Sequence, residues 1–507
     1  MKTFALLLIA VLPAADADGE QANVLPRALI VGDNVYNTPF QGVVGLLRGR
    51  VEISRPKIQP RDTATALENC DALLGDKKWD LIHFNFGFED LYYRDPGTKA
   101  KRAMSKEAGG VRVTTPKEYE ANLRELVKRF KATGAKLIWA STTPIKSSKF
   151  DSVLDPGSEL EFNAIAAKVM AENKVTINDM HAYITKNVKN KRDPSPYWFN
   201  RYPLHPPIVR SILTELQLMR PVNGPVKVFV MAGGTTHMGS GVVQGRDKPR
   251  RGKTGTLDDL VLNKKTAAAY RHLLDEDGKW VTRSDVWLQF DRRGFKSGAH
   301  GILFGGDRKR GIGPEFSFGN VLGDHFDKQV FVFKSTLGNP SLAKDLRPPS
   351  SGKTGRDYKK LLEQIRDALA RMEDQFPDYT KASGHELAGL VLNLGEADRD
   401  AKTYAKYLPM LISDLRKDLK VPELPIVIVG TGQGGRRETA FPDIIKAQQA
   451  VAALARFKST VRYIETRDFW PVKSASPDVH PEKWYGNAES FCKIGQAIGD
   501  GILSLLK

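Results

Sequence analysis

The sequence predicts an α/β protein of two three-layer α/β/α units, each a parallel sheet between helices. Three observations carry this. Short apolar runs alternate with stretches of helical periodicity from residue 27 onward. The runs read as buried strands, as a sheet covered on both faces requires. The alternation then breaks once, at a Pro- and Gly-containing segment, and starts again.

In the first unit, "ALIVGD" (Ala28–Asp33) and "DLIHFNFG" (Asp80–Gly87) are strands. "PKEYEANLRELVKRFKATG" (Pro116–Gly134) has apolar residues at helical spacing and stops at Gly. "AKLIWASTTP" is the next strand, "ELEFNAIAAKVMAEN" a helix, and "VTINDM" a further strand. "MRPVNGPVK" marks the linker, set at residues 218–226. The second unit runs "VKVFVMAGG", "DVWLQFDRRG" and "KQVFVFKSTLG" as strands, then a helix from Arg356 to Phe376. Strand "ELAGLVLNLGEAD", helix "YAKYLPMLISDLRKDL", strand "LPIVIVGTG", helix "DIIKAQQAVAALARF", strand "VRYIET" and a closing helix Glu489–Leu506 follow. The units are set at 27–217 and 227–507. The matching order of "HFNFGFED" and "VLNLGEAD", and of the late "NRYPLHPP" and "SPDVHPEKWYGN", suggests two diverged copies of one fold.

"MKTFALLLIAVLPAADA" has a charged start, a short apolar core and a small-residue cleavage site. It reads as a signal peptide ending near Ala17, too short to remain as a membrane span. The expectation is a secreted or periplasmic protein with no integral membrane segment after cleavage. The charge balance of 77 basic against 59 acidic residues leaves +18. Such a field attracts acidic partners. Export disfavours nucleic acid and leaves an acidic glycan. Basic runs "GRDKPRRGKTG" and "DRKRG" are solvated surface or flank such a ligand. The two cysteines, Cys70 and Cys492, cannot build a disulfide framework and read as buried free thiols. No His/Cys/Glu spacing suggests a metal, and no cofactor is expected.

"VFVMAGGTTHMGSG" takes an apolar strand into a small-residue turn, the place where an α/β hydrolytic enzyme presents a nucleophile. The second half resembles the sialate O-acetylesterase-like carbohydrate esterases, a branch of the SGNH/GDSL hydrolases. This stretch stands where that family has Gly-Gln-Ser-Asn-Met. "IGPEFSFGNVLGDHF" is similar to its Gly-Pro-Glu helix entry, "FKSTLGNPSLAKDLRPPSSGKTG" to its Gly-Gly-x-Ser-Leu loop, and "VLNLGEAD" to its Gln-Gly-x-x-Asp block. The first half resembles a plain SGNH/GDSL domain through "IVGDNVYN", "FNFGFEDL" and "YPLHPP". The resemblance implies flavodoxin-like folds and acyl transfer, in which Ser attacks an ester, His takes the proton and Asp orients the His.

Carried onto the second half, the resemblance puts Thr235 at the nucleophile, Gly338 at an oxyanion donor, and Asp478 and His480 as orienting acid and base. Thr236 falls on the family's Asn, Leu394 on its Gln and Ala397 on its oxyanion Asn; counting from "YGNAE" puts Lys483 rather than His480 on its His. His237, also in the turn, is a possible ligand contact. In the first half Asn34 replaces the nucleophile and Glu89 the oxyanion Asn, while Tyr202 or Pro203 falls on the Asp before the His. Asp33, Gly87, Asp90 and His205 survive; the aspartates suit capping and turn roles, and His205 a surface loop.

Two functions follow. One is an exported esterase releasing O-acetyl groups from an acetylated or acidic polysaccharide. The other is a catalytically inactive pseudo-esterase that binds glycan or acts as a scaffold, with Thr235 and Thr236 bonding local backbone and Asp478 and His480 shaping a loop. A weaker third reading pairs the carboxylates Glu396, Asp398 and Glu89.

Overall fold

A computed structural model describes residues 24–506 except 34–38, 48, 98–101, 148–149, 188–203, 221–223, 244–253, 277, 279, 292–294, 301–310, 336 and 377. The expected leader, Asn34, Tyr202, Pro203 and most of both basic runs lie outside the described residues.

The first sheet contains β1 (Arg27–Gly32), β2 (Glu52–Ser54), β3 (Leu81–Asn85), β4 (Lys136–Ala140) and β5 (Thr176–Asn178). All pairings are parallel, in the order β2-β1-β3-β4-β5. This is the doubly wound flavodoxin-like order. Strand β3 is buried along its whole length, so both faces are covered. Helix α1 (Phe40–Leu47) precedes β2. Helix α2 (Pro116–Ala132) starts with a capping box, Thr115 receiving the Glu118 amide and Glu118 receiving the Thr115 amide. Helices α3 (Glu159–Glu172) and α4 (His205–Glu215) follow later in the unit.

The second sheet holds β6 (Val226–Gly233), β7 (Arg283–Asp291), β8 (Phe295–His300), β9 (Val330–Lys334), β10 (His385–Asn393), β11 (Ile426–Val429) and β12 (Val461–Ile464). Their order is β8-β7-β9-β6-β10-β11-β12. The last five repeat the order of the first sheet, with β6 in the place of β1. Six strands are parallel; β8 closes one edge antiparallel to β7. The sequence reading contained neither β2 nor β8. The first has three residues, and "FKSGAH" has little of the β-branched, apolar signal that marks a strand.

Strand β6 divides its side chains by the period of two. Val226, Val228, Val230 and Ala232 enter one core; Phe229 and Met231 enter another. The second core is closed by helices α6 (Glu315–His325) and α10 (Ala488–Leu503). The first receives α7 (Arg356–Ala370), α8 (Ala401–Asp418) and α9 (Pro442–Ala452), and it continues into the apolar residues of the first unit. The two units therefore share one apolar interior. Arg50 pairs with Asp378 at 2.8 Å across it, and Arg210 donates to the Phe376 and Tyr379 carbonyls at 3.0 and 2.8 Å. Cys70 and Cys492 are buried and unbridged.

Candidate active site

The site is built at the carboxyl end of β6, in the middle of the second sheet, where open α/β sheets bind ligands. The strand ends in Gly233-Gly234 and passes into a one-turn helix α5 (Thr235–Met238). Both glycines are required by close approach. A Cβ at 233 would lie 2.7 Å from the His237 Cβ and 2.8 Å from the Asn393 Cβ. A Cβ at 234 would lie 2.6 Å from Asn339 Oδ1. Asn339 follows Gly338, so the Gly338 loop lies over the turn. Gly338 itself is exposed, with φ +80°.

Thr236 is the most tightly held residue of the turn. Its amide donates to Glu396 Oε2 at 3.3 Å and its hydroxyl to Glu396 Oε1. The same hydroxyl accepts from Trp484 Nε1 at 2.9 Å. All three residues are buried. Thr236 thus reaches partners 160 and 248 positions away, not the local backbone expected of it. Trp484 packs edge-on against Trp470 at 5.0 Å, with φ +52° in the left-handed region. A Trp is rarely stable there unless its surroundings hold it; the Thr236 bond and this packing do so.

His237 is fully buried, and its Nε2 lies 3.0 Å from the Ser335 carbonyl oxygen. A carbonyl only accepts, so the proton sits on Nε2. Burial, helped by the Lys334 charge, lowers its pKa to about 3. His237 is therefore a neutral tie between the turn and the end of β9, closed off from solvent rather than set to touch a ligand. Beneath it, Lys334 and Glu315 form a fully buried ion pair at 2.5 Å, and Glu315 also receives the Gly313 amide at 2.9 Å.

Asp478 and His480 are brought together. His480 Nε2 lies 3.8 Å from Asp478 Oδ1, and its Nδ1 3.3 Å from Glu482 Oε1. The imidazole is half exposed. This loop is fastened to the turn through Trp484. The Thr235 backbone opens α5, and its side chain lies outside the described residues. Leu394 is buried in the first core and Ala397 is half-buried, so neither supplies an oxyanion donor. Lys483, the alternative position for the base, is half-buried in the same loop as His480.

The paired-carboxylate reading fails on the bonds each carboxylate makes. Glu396 holds Thr236, Asp398 receives the Leu342 amide at 2.9 Å and the Ala343 amide at 3.1 Å, and Glu89 pairs with Arg94. Asp398 instead anchors the loop that carries Gly338. Glu396, Trp484 and Asn339 are the site residues that sequence reasoning did not assign to this framework. The run "GEAD" pointed to Glu396; no short-range signal pointed to Trp484 or Asn339.

The corresponding place in the first sheet is occupied by structural bonds. Asp33 is buried and receives the Phe88 amide at 3.2 Å. Gly87, at φ +142°, lies where a Cβ would strike Thr142 Oγ1. Asp90 receives the Thr63 amide and hydroxyl at 3.0 and 2.5 Å and the Thr114 hydroxyl at 2.8 Å; burial raises its pKa to about 6. His205 is not in a surface loop. It opens α4, half-buried, with its ring 2.8 Å from where a Cβ on Gly42 would stand.

Among the described residues no His/Cys/Asp/Glu group has the arrangement to hold a metal ion, and no helix is long and apolar enough to cross a membrane. A family model described as carbohydrate esterase, sialic acid-specific acetylesterase, matches residues 225–499. The chain belongs to this family. The match covers the second sheet and the whole of the candidate site. A probable carbohydrate esterase of Arabidopsis thaliana is 28% identical over 130 residues, which is 25% of this chain and 44% of that relative. A solved Arabidopsis thaliana protein aligns at 18% identity, over 55% of this chain and 98% of its own, with TM-score 0.36. An acetylxylan esterase of Geobacillus stearothermophilus aligns at 18% identity, over 38% and 94%, with TM-score 0.29.

Proposed function

We propose that this carbohydrate esterase family member is exported and hydrolyses O-acetyl esters on a glycan through the turn at the end of β6. Thr235 Oγ attacks the acetyl carbonyl while His480 accepts its proton. The sugar hydroxylate leaves with that proton, and water then releases acetate from the acetyl-threonine. Asp478 orients His480, and the Gly338 amide faces the developing oxyanion. The observation that carries the reading is the convergence of three separate loops on one turn. Glu396 and Trp484 both fix Thr236, and Asn339 covers Gly234. Such a framework fixes the backbone of the residue before Thr236.

The leader supports export, the net charge supports an acidic or acetylated polysaccharide as partner, and the shared strand order supports a duplicated origin for units at 27–217 and 227–507. A second reading, a glycan-binding protein without turnover, is favoured by the half-exposed His480 lying between two carboxylates. Acetate release from acetylated xylo-oligosaccharides separates the two. The esterase reading expects turnover that falls at least about 10²-fold in Thr235→Ala and His480→Ala and rises in Thr235→Ser, because the threonine methyl restricts χ1. Turnover indifferent to Thr235→Ala would overturn it.

A further inference from the structure

The first sheet carries a cavity of about 270 Å³ at the carboxyl ends of β1 and β2, beside Gly32 and lined by Phe40, Arg55, Pro56, Lys57, Ile58 and Gln59 among others. This is the place on a parallel sheet where ligands bind. It belongs to the unit whose surviving motif residues, Asp33 and Asp90, are taken up in structural bonds.

Its lining carries two cations, Arg55 and Lys57. Elsewhere in this unit Arg27 and Lys77 share Glu52 at 3.2 and 3.1 Å, and Lys106 and Arg112 share Asp155 at 2.5 and 3.0 Å. Among the described residues Arg55 and Lys57 have no carboxylate partner, and none of those lining the cavity is acidic. The Arg55 guanidinium lies over the Phe40 ring, 5.0 Å from its centre. An aromatic face beneath a guanidinium limits its freedom and leaves its N–H edge for an anion. Pro56 and Ile58 supply apolar wall.

We propose that this cavity binds one anionic sugar unit, its carboxylate or sulfate between Arg55 and Lys57 and its ring against Pro56 and Ile58. The proposal deepens the glycan-directed reading above. The first unit then holds an acidic chain while the second acts on its acetyl groups.

The test is calorimetric titration of the full chain with an oligogalacturonate, a sulfated oligosaccharide and a neutral xylo-oligosaccharide. The wild type is expected to bind at least one anionic probe, with affinity falling as salt rises, and to bind the neutral probe at least tenfold more weakly. Removing both cations in Arg55→Ala/Lys57→Ala is expected to weaken anion binding about tenfold or more. Lys57→Glu, at an exposed position, is the second variant and is expected to do the same with an unchanged thermal midpoint. Preference between the two anionic probes assigns carboxylate or sulfate. Equal affinity for the neutral probe, no anion binding by the wild type, or wild-type affinity in both variants would overturn the site. Acetate release is followed on the same samples. Anion binding lost in the variants, with no acetate released by any protein, would keep this site and remove the esterase reading.

Discussion

Replacing Thr236 by valine tests the framework of the turn. The side chains are nearly isosteric, so the change removes one hydroxyl and its two hydrogen bonds. Glu396 loses the donor to Oε1, and Trp484 Nε1, in a side chain with no solvent exposure, loses its acceptor. A hydrogen bond to a charged group contributes about 1.5–3 kcal/mol, and a buried donor left without a partner costs about 1–3 kcal/mol. Together they give about 2.5–6 kcal/mol. Unfolding entropy of about 2.1 cal/mol/K per residue, over roughly 280 residues of the second unit, gives ~0.6 kcal/mol/K. The expected fall in the thermal midpoint is therefore about 4–10 °C, read by differential scanning calorimetry. Thr236→Ser keeps the hydroxyl and should fall by less than half as much. A Thr236→Val midpoint within about 1 °C of wild type would refute the reasoning, since the hydroxyl would then be bonding nothing that matters to the fold.

Lys334→Met leaves Glu315 charged and buried without its cation, an expected loss of about 3–5 kcal/mol in urea denaturation, with much of it regained in Lys334→Met/Glu315→Gln. His83 and His237 are both held neutral by burial, each with its pKa lowered from 6.5 to about 3. The unfolded chain binds their protons first, so stability should rise with pH between about 3 and 6.5, and His237→Gln should flatten that slope. Asp90 acts in the opposite direction: its pKa is raised to about 6. The folded state therefore takes up its proton first, and this contribution is lost as pH rises from about 4 to 6. The Thr63 amide and the Thr63 and Thr114 hydroxyls all donate to Oδ1, and Oδ2 has no hydrogen-bond partner among the described residues. Asp90→Asn should accordingly be more stable than wild type at pH 7 than at pH 4, measured by denaturation at both values.

Apart from β2 and β8, the strands were legible because sheets buried on both faces demand unbroken apolar runs, as in "LIHFN" and "IVIV". Their order was not legible, since nothing local says that β6 lies between β9 and β10. The turn was legible from Gly233 and Gly234, which the close approach of Asn393 and Asn339 requires. What fastens the turn was not, because Glu396 and Trp484 come from loops far along the chain. His205 was misread for a related reason: the sequence gives Pro206 and Pro207 after it, which suggest a loop, yet proline is well accommodated in the first turn of a helix, where α4 places it.

The central claim is that Thr235 is the acyl acceptor. A phosphate triester that traps hydroxyl nucleophiles, followed by peptide mapping, tests it directly. The account predicts one covalent adduct, on the peptide containing Thr235, absent in Thr235→Ala and in step with the loss of acetate release. Acetate release that continues with the adduct on Ser240 or elsewhere would contradict it.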